Sequence, residues 1–218
     1  VSAHLGLMIV QEGMLAGSHS ADLGYAQDGL LDALGEPARE HLSNRGARLI
    51  LSDPVRSLMA KSGQVQAVEL RSGEIWSGRI FVSALPFDAL LRVLPPDALR
   101  MPYFQCLTGL ESSPIVNVHL WYDREVMAQD FCVFVDSPLQ WVFNKSRIYA
   151  RSRLGLKKTG LADRRGSDAG QHICISLSAA WEHIDQPREA LAEQFIDEMA
   201  RVFPEAKKAL VERAVVVK

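Results

Sequence analysis

Residues 113–123 read SPIVNVHLWYD and combine polar with aromatic side chains at strand-like spacing. Successive side chains of a strand point to opposite faces. One face of this segment is entirely apolar or aromatic: Val116, Val118, Leu120 and Tyr122. The other carries side chains that could bind or orient a polar group: Ile115, Asn117, His119 and Trp121. The second face is too polar for a core and too aromatic for an ordinary solvent-exposed surface, so it marks a candidate site.

The other residues of chemical interest form no complete catalytic constellation. The sequence contains no Gly-x-Gly-x-x-Gly, P-loop, His-Glu-x-x-His or Gly-x-Ser-x-Gly motif. The six histidines lack ligand spacing, so His119 is interpreted as a structural or pocket-wall residue and no metal site is predicted. Asp123 and Asp136 are either a carboxylate pair or, as is more common, solvated turn residues. The catalytic residues stay unassigned.

The composition indicates a packed globular protein without a strong electrostatic partner. There are 24 basic and 26 acidic residues, a net charge of −2, and 48% hydrophobic residues, so we expect no nucleic-acid partner. Three widely spaced cysteines predict a reducing cytoplasm, and no apolar run approaches the roughly 18 residues that a membrane span needs. The first residue, Val1, and the final ERAVVVK predict a segment of a longer protein.

The first half of the chain predicts helices around a β-meander. The spacing of apolar residues in 7–15 predicts a helix, and Pro37 and Gly46 are expected to bound a short second one. The strand-like runs from residue 48 onward, with a turn at Ser72-Gly73, predict the meander. Its last strand, residues 80–85, is apolar almost throughout and is expected to be buried on both faces. A short helix should follow, ending at Pro95-Pro96.

The second half predicts an antiparallel sheet with a packed helix. FCVFVDSPLQWVFNKS should form a strand pair interrupted at Ser137-Pro138, and HICISLSAAWE a further strand. Pro187 and Pro204 should bound a helix whose apolar stripe repeats at three and four residues: Leu191, Phe195, Met199 and Val202. Residues 147–170, glycine-rich and basic, are interpreted as a mobile loop. The fold class is α+β or α/β.

Five segments together carry a resemblance to a known family: ARLILSDPVRSL, AVELRSGEIWSGRIFVSALP, SPIVNVHLWYDREVM, FVDSPLQWVFNKS and ISLSAAWE. Their order resembles the bacterial squalene-associated desaturases, recognised as hydroxysqualene dehydroxylases, within the flavin amine oxidase and phytoene desaturase superfamily. The resemblance covers nearly the whole chain. SPIVNVHLW with DSPLQWVFN is its most specific part, whereas the first blocks are generic to the superfamily.

The resemblance implies that FAD binds the intact protein. It places the backbone of Val55 against the adenine and Ser83, Ala84 and Leu85 close to the ADP moiety; without it, a packed turn that binds no ligand is an equally good interpretation. The Rossmann fingerprint of the family is missing, so the chain corresponds to the middle of such a protein and is expected to be inactive alone. The implied division is residues 1–46 (helical part of the substrate domain), 47–100 (meander portion of a split FAD-binding domain) and 101–218 (substrate-binding sheet and helices).

The resemblance also implies a substrate pocket for a squalene-type isoprenoid. Its wall would be Ile115, Asn117, His119, Trp121, Trp141 and Phe143. The aromatic residues could stabilise allylic cation character, with Asn117 or His119 handling the departing oxygen; alternatively this face packs under a helix. Alternative functions are a carotenoid (phytoene) desaturase or amine oxidase relative, and a non-catalytic apolar-ligand or partner-binding domain. The seven basic residues in 147–165 suggest peripheral contact with the inner membrane from the cytoplasmic side.

Overall fold

The computed structural model describes residues 2–26, 28–150 and 170–218. The strands, in chain order, are β1 (Val55–Lys61), β2 (Gln64–Leu70), β3 (Ile75–Ser77), β4 (Ile115–Tyr122), β5 (Phe131–Val133), β6 (Trp141–Asn144), β7 (Gln171–Ser178) and β8 (Val211–Val217). The α-helices are α1 (Ala3–Val10), α2 (Glu36–Asn44), α3 (Phe87–Val93), α4 (Pro96–Leu99), α5 (Pro102–Gln105), α6 (Lys145–Ala150) and α7 (Arg188–Val202). The predicted mixture of helices and antiparallel strands is confirmed.

Residue contacts divide the chain into two compact units. The first consists of Val1–Pro37, Asn117–Ser176 and Pro187–Val217. The second consists of Ala38–Val116, Leu177–Gln186 and Lys218. The second unit contains the three-stranded meander, and the first contains most of a five-stranded sheet.

The meander pairs its strands in the order β1-β2-β3, all antiparallel. The first hairpin turns at Ser62 and Gly63, whose φ angles of 51° and 77° are those of a type I′ turn. The predicted turn at Ser72-Gly73 is confirmed, and Gly73 has a φ of 91° that a side-chain-bearing residue adopts rarely. The two turns fix the register that places Val68 opposite both Leu58 and Trp76.

Two strand predictions in this region are wrong. Residues 48–51 precede the meander as irregular chain, and Leu51 is 72% exposed. Residues 80–85 are likewise irregular, with Ile80 at 85% and Val82 at 90% exposure. A strand requires a neighbour that receives its backbone hydrogen bonds, and within the part of the chain that the structure describes neither segment has such a neighbour. An apolar, β-branched composition is therefore not sufficient to form the predicted strands.

The five-stranded sheet has the order β5-β6-β7-β4-β8. Its pairs β5–β6, β6–β7 and β4–β8 are antiparallel, as predicted. The predicted core face of β4 is confirmed, because all four of its side chains are buried: Val116, Val118, Leu120 and Tyr122. Strands β6 and β7 also contribute buried apolar side chains at alternate positions, including Val142, Ile173 and Ile175. This face of the sheet is a hydrophobic core.

The predicted helices are confirmed with small shifts at their ends. Helix α2 is followed by Gly46, whose φ of 71° suits a helix C-terminus. Helix α7 begins directly after Pro187, packs against β8 and buries three residues of its apolar stripe: Leu191, Phe195 and Met199. Helix α1 continues as a π-helix over Gln11–Leu15, and all its apolar side chains lie at least partly in solvent.

Two buried amide side chains hold the loop that follows β4. The Gln171 side-chain oxygen accepts hydrogen bonds from the backbone N–H groups of Val126 (2.7 Å) and Met127 (3.0 Å). The Met127 carbonyl accepts from the side-chain amides of both Gln171 and Asn144, each at 2.8 Å. Asn144 Oδ1 in turn accepts from the backbone N–H of Arg147 at 3.0 Å. These bonds connect the loop to β6, to β7 and to the first turn of α6.

The predicted mobile loop over 147–170 is partly wrong. Its first residues belong to α6, because Asn144 caps this helix through the Arg147 N–H. Residues 151–169, which contain most of the predicted basic segment, lie outside the described residues. Within the described ranges, no helix has the length and apolar character needed to cross a membrane.

Candidate functional site

The face of the sheet opposite the core carries a continuous set of aromatic and imidazole side chains. The register places Phe131 opposite Phe143, and Phe143 opposite Cys174. Residues directly opposite each other in antiparallel strands point to the same face. With the alternate residues of β4, this face includes Phe131, Trp141, Phe143, His172, Cys174, His119 and Trp121. We call these seven residues the aromatic wall. Apart from the buried Cys174 its members are half-buried, in contrast to the fully buried opposite face.

The rings of the wall form two stacked groups. Trp141 and Phe143 lie with centroids 5.8 Å apart and planes 6° from parallel, and Phe131 is tilted against both at 6.3 Å. Trp121 stacks on His172 at 4.2 Å and 8°. Such offset stacks give a flat apolar surface, and aromatic faces attract positive charge. The wall therefore suits a flat or elongated apolar ligand.

Two histidines from neighbouring strands lie at the centre of the wall. His119 Nδ1 and His172 Nε2 are 3.1 Å apart, a hydrogen-bonding distance, and the ring centroids are 5.3 Å apart. The second nitrogen of His119, Nε2, lies 3.9 Å from Cys174 Sγ. The wall thus contains a polar cluster surrounded by aromatic rings. We call His119 and His172 the histidine pair.

Two cations lie over ring faces of this region. Lys145 Nζ lies 5.5 Å from the ring centroids of both Phe143 and Tyr149. The Arg213 guanidinium carbon lies 4.9 Å from the Trp121 ring. Burial lowers the pKa of His119, and the positive charge of Lys145 lowers it further. Burial raises the pKa of the Cys174 thiol, against a smaller opposing effect of Lys145. Both groups are consequently neutral near pH 7.

We expect the His119 ring to titrate below its ordinary pKa of 6.5 in pH-dependent NMR spectra of the ring nitrogens. Between the folded and unfolded pKa values the unfolded chain binds more protons, so the free energy of unfolding should fall as the pH drops through this window. Lys145→Met should raise the His119 pKa but leave it below 6.5, because burial is the larger cause. The exposed Lys61 provides the control, since Lys61→Met should change nothing. A His119 pKa at or above 6.5 in the unsubstituted chain would contradict this environment.

The structure brings most of the predicted pocket residues together. His119 and Trp121 lie 6.0 Å apart by ring centroid, and Trp141 and Phe143 form the other stacked group. Asn117 shares their face, opposite Val217 of β8. Ile115, at the start of β4, is 53% exposed and belongs by its contacts to the other unit. Four of the six predicted residues thus belong to the aromatic wall: His119, Trp121, Trp141 and Phe143.

Sequence reasoning missed several residues of the wall. They are His172 and Cys174 on β7, which are the most important, and Phe131. The cations Lys145 and Arg213, which lie over rings of this region, were also missed. The alternation in QHICISLS places His172 and Cys174 on one face, so that part of the signal was present. The pairing of β7 with β4 could not be predicted from this pattern, because it joins residues more than fifty positions apart in the sequence.

The predicted cofactor-binding residues lie in the meander unit. Val55 opens β1 opposite Leu70, directly before a register shift. Ser83 and Ala84 are exposed, Leu85 is partly exposed, and the short helix α3 that follows them packs against β1. Small exposed side chains on irregular backbone let a ligand approach the main chain closely. The contact of these residues with the ADP moiety stays a prediction.

Neither candidate carboxylate is placed as an acid or base. Asp123 accepts hydrogen bonds from Arg124 (Nε at 3.0 Å) and from the Leu210 N–H at 2.9 Å, which lower its pKa to about 2. This supports a structural turn. Asp136 lies in a bend with a φ of 57°. Among the described residues, no group of three or more His, Cys, Asp or Glu could hold a metal ion.

Comparisons with known proteins relate the chain to a desaturase and a dehydroxylase. The 15-cis-phytoene desaturase of Capsicum annuum is 24% identical over 214 residues, covering 97% of this chain and 35% of that protein. The hydroxysqualene dehydroxylase of Sinorhizobium fredii is 33% identical over 142 residues, covering 65% of this chain and 32% of that protein. The chain therefore spans about a third of the length of these relatives.

Solved structures share the fold. An oxidoreductase from Methanosarcina mazei superposes with a TM-score of 0.64 at 16% identity, over 86% of this chain and 41% of that one. A family model described as flavin containing amine oxidoreductase matches residues 3–217. The match extends over both units and includes every residue of the wall. The chain therefore belongs to the flavin containing amine oxidoreductase family.

Proposed function

We propose that the intact protein is an FAD-dependent oxidoreductase that removes the hydroxyl group of a squalene-type isoprenoid, as hydroxysqualene dehydroxylases do. The observation that carries this proposal is the aromatic wall with the histidine pair at its centre. A long isoprenoid needs an extended apolar surface, and its hydroxyl needs a hydrogen-bonding partner within that surface. The resemblance to the Sinorhizobium fredii enzyme supports the same substrate class.

The residues of this chain would orient the substrate and exclude water. The stacked faces of Trp141, Phe143 and Trp121 provide apolar contact and favour positive charge that develops at an allylic carbon. The histidine pair would hold the oxygen that departs. The oxygen would leave as water once it is protonated, and the flavin, bound in its reduced form, would supply the hydride that replaces it. The backbone of Val55 and of Ser83 to Leu85 is where this chain would contact the ADP part of FAD.

A second candidate function is the desaturation of a carotenoid precursor. It is favoured by the phytoene desaturase of Capsicum annuum, which matches 97% of this chain. A hydrocarbon substrate would use the aromatic faces but would make no use of the histidine pair. Burying polar groups against a ligand that cannot hydrogen-bond is unfavourable. The polar centre of the wall therefore favours the alcohol.

The remaining expectations are part of the same proposal. Residues 47–100 would belong to the flavin-binding domain, and residues 1–46 and 101–218 to the substrate domain. The protein would act in the cytoplasm and contact the membrane peripherally through the basic residues of 147–165, so that an insoluble substrate could enter. Of that segment only residues 147–150 are described.

We expect Trp121→Ala and Trp141→Ala to lower the turnover of hydroxysqualene by the intact protein at least tenfold, with only a small loss of stability. Both side chains are half-buried, so their removal empties space beside the ligand and not within the core. Val118→Ala on the fully buried face is the control: it should cost about 2 kcal/mol of unfolding free energy and leave turnover per folded molecule unchanged.

Steady-state turnover and denaturant unfolding of the three variants test the proposal. Tryptophan variants that lose stability as Val118→Ala does, and retain turnover, would show that the wall contacts protein and not substrate. An unsubstituted protein that desaturates phytoene and leaves hydroxysqualene unchanged would establish the second candidate function instead.

A further inference from the structure

In either tautomeric arrangement of the histidine pair, the second ring nitrogen of His119 can form a further hydrogen bond. Each neutral imidazole has one N–H donor and one acceptor lone pair. The bond between His119 Nδ1 and His172 Nε2 uses one donor and one acceptor. His119 Nε2 is therefore an N–H donor when His172 donates within the pair, and an acceptor when His119 does. The Cys174 sulfur lies 3.9 Å from His119 Nε2 and is a weak hydrogen-bonding partner.

We propose that His119 Nε2 and Cys174 form a specificity-determining subsite that recognises a hydroxyl group of the substrate. The proposal rests on the proposed function and refines it: the pair would select an isoprenoid alcohol over the corresponding hydrocarbon. A hydroxyl both donates and accepts, so it complements His119 Nε2 in either tautomer of the pair. The stacking of Trp121 on His172 fixes the orientation of the pair.

The surroundings of the subsite match an uncharged group. Among the residues that the structure describes, the charged or titratable groups near His119 include His172 and Cys174 on β7, Lys145 at the start of α6 and Arg213 on β8. The two cations lie over the rings of Phe143, Tyr149 and Trp121. Burial keeps the thiol protonated and the imidazole neutral near pH 7, so the subsite offers dipoles and not charge.

Matched probes separate the hydroxyl from the carbon chain. We would titrate the intact protein with farnesol and with farnesene, a hydrocarbon of the same skeleton, and follow its intrinsic tryptophan fluorescence, to which Trp121 and Trp141 contribute together with Trp76 and Trp181. A hydrogen bond to the hydroxyl should favour farnesol by about three- to tenfold in Kd. His119→Phe should abolish this preference, because an aromatic ring remains at the position but can no longer form a hydrogen bond to the hydroxyl.

Two further variants give the comparison its internal standards. His119→Gln places an amide where Nε2 was and should restore part of the preference. His41→Phe, on the exposed surface of α2, should change neither affinity. In the unsubstituted chain, farnesol should also shift the NMR signals of the His119 ring nitrogens more than farnesene does, a readout that does not depend on any variant folding correctly.

Each outcome decides the proposal. Equal affinity for the two probes in the unsubstituted chain would overturn the subsite while leaving the apolar wall of the proposed function intact. A preference for farnesol over farnesene that persists in His119→Phe would also overturn the subsite. So would farnesol binding that changes the tryptophan fluorescence but does not shift the NMR signals of the His119 ring nitrogens. Failure of both probes to bind would overturn the subsite and the proposed ligand wall together.

Discussion

Phe195→Ala is expected to lower the free energy of unfolding of the first unit by about 3 to 5 kcal/mol. Phe195 lies at the centre of the apolar stripe of α7, between Leu191 and Met199, and all three are completely buried. Truncation removes the transfer free energy of the ring and leaves a cavity that its neighbours fill only in part. Urea unfolding followed by circular dichroism measures the loss.

Phe143→Ala is the matched control for this prediction. It is the same chemical change in the same unit, but its ring is half-buried on the aromatic wall and stacks on Trp141. We expect it to cost clearly less, because solvent or a ligand can occupy the space that the ring leaves. Equal losses of unfolding free energy in the two variants would mean that the aromatic wall is packed as tightly as the apolar stripe of α7.

The parts of the fold with strong local patterns were predictable. The alternation in β4 separated a buried face from a half-buried one, and the three-and-four spacing of α7 gave its buried stripe. Both patterns are set by backbone geometry within a single element. Residues 80–85 show the limit of such reasoning, since their apolar composition is strand-like and whether they form a strand depends on a neighbour.

The candidate site was predicted on two of its strands, β4 and β6. His119 and Trp121 stood out because they lie in one mixed segment, whereas Trp141 and Phe143 were assigned through the family resemblance. The partner His172 was not identified, since the sheet order β7-β4 brings it to His119 across 53 positions of sequence. Sequence patterns report the face of a strand but not its neighbours, and the polar centre of the wall is a property of neighbouring strands.

Gln171→Met is expected to lower the free energy of unfolding by about 2 to 5 kcal/mol, although methionine fills nearly the same volume. The amide oxygen accepts from the Val126 and Met127 N–H groups, and both residues are buried. A buried donor left without an acceptor costs about 1 to 3 kcal/mol. Native-state hydrogen exchange should show these two amides exchanging faster in the variant.

The exposed Gln64 in the first hairpin supplies the control for that substitution, because Gln64→Met changes the same atoms where water replaces every lost hydrogen bond. It should alter stability by less than about 0.5 kcal/mol. If Gln171→Met were equally mild, with exchange at Val126 and Met127 unchanged, the loop after β4 would be held by apolar packing. The retained Asn144 bond to the Met127 carbonyl cannot compensate, since it satisfies an acceptor and the variant orphans two donors.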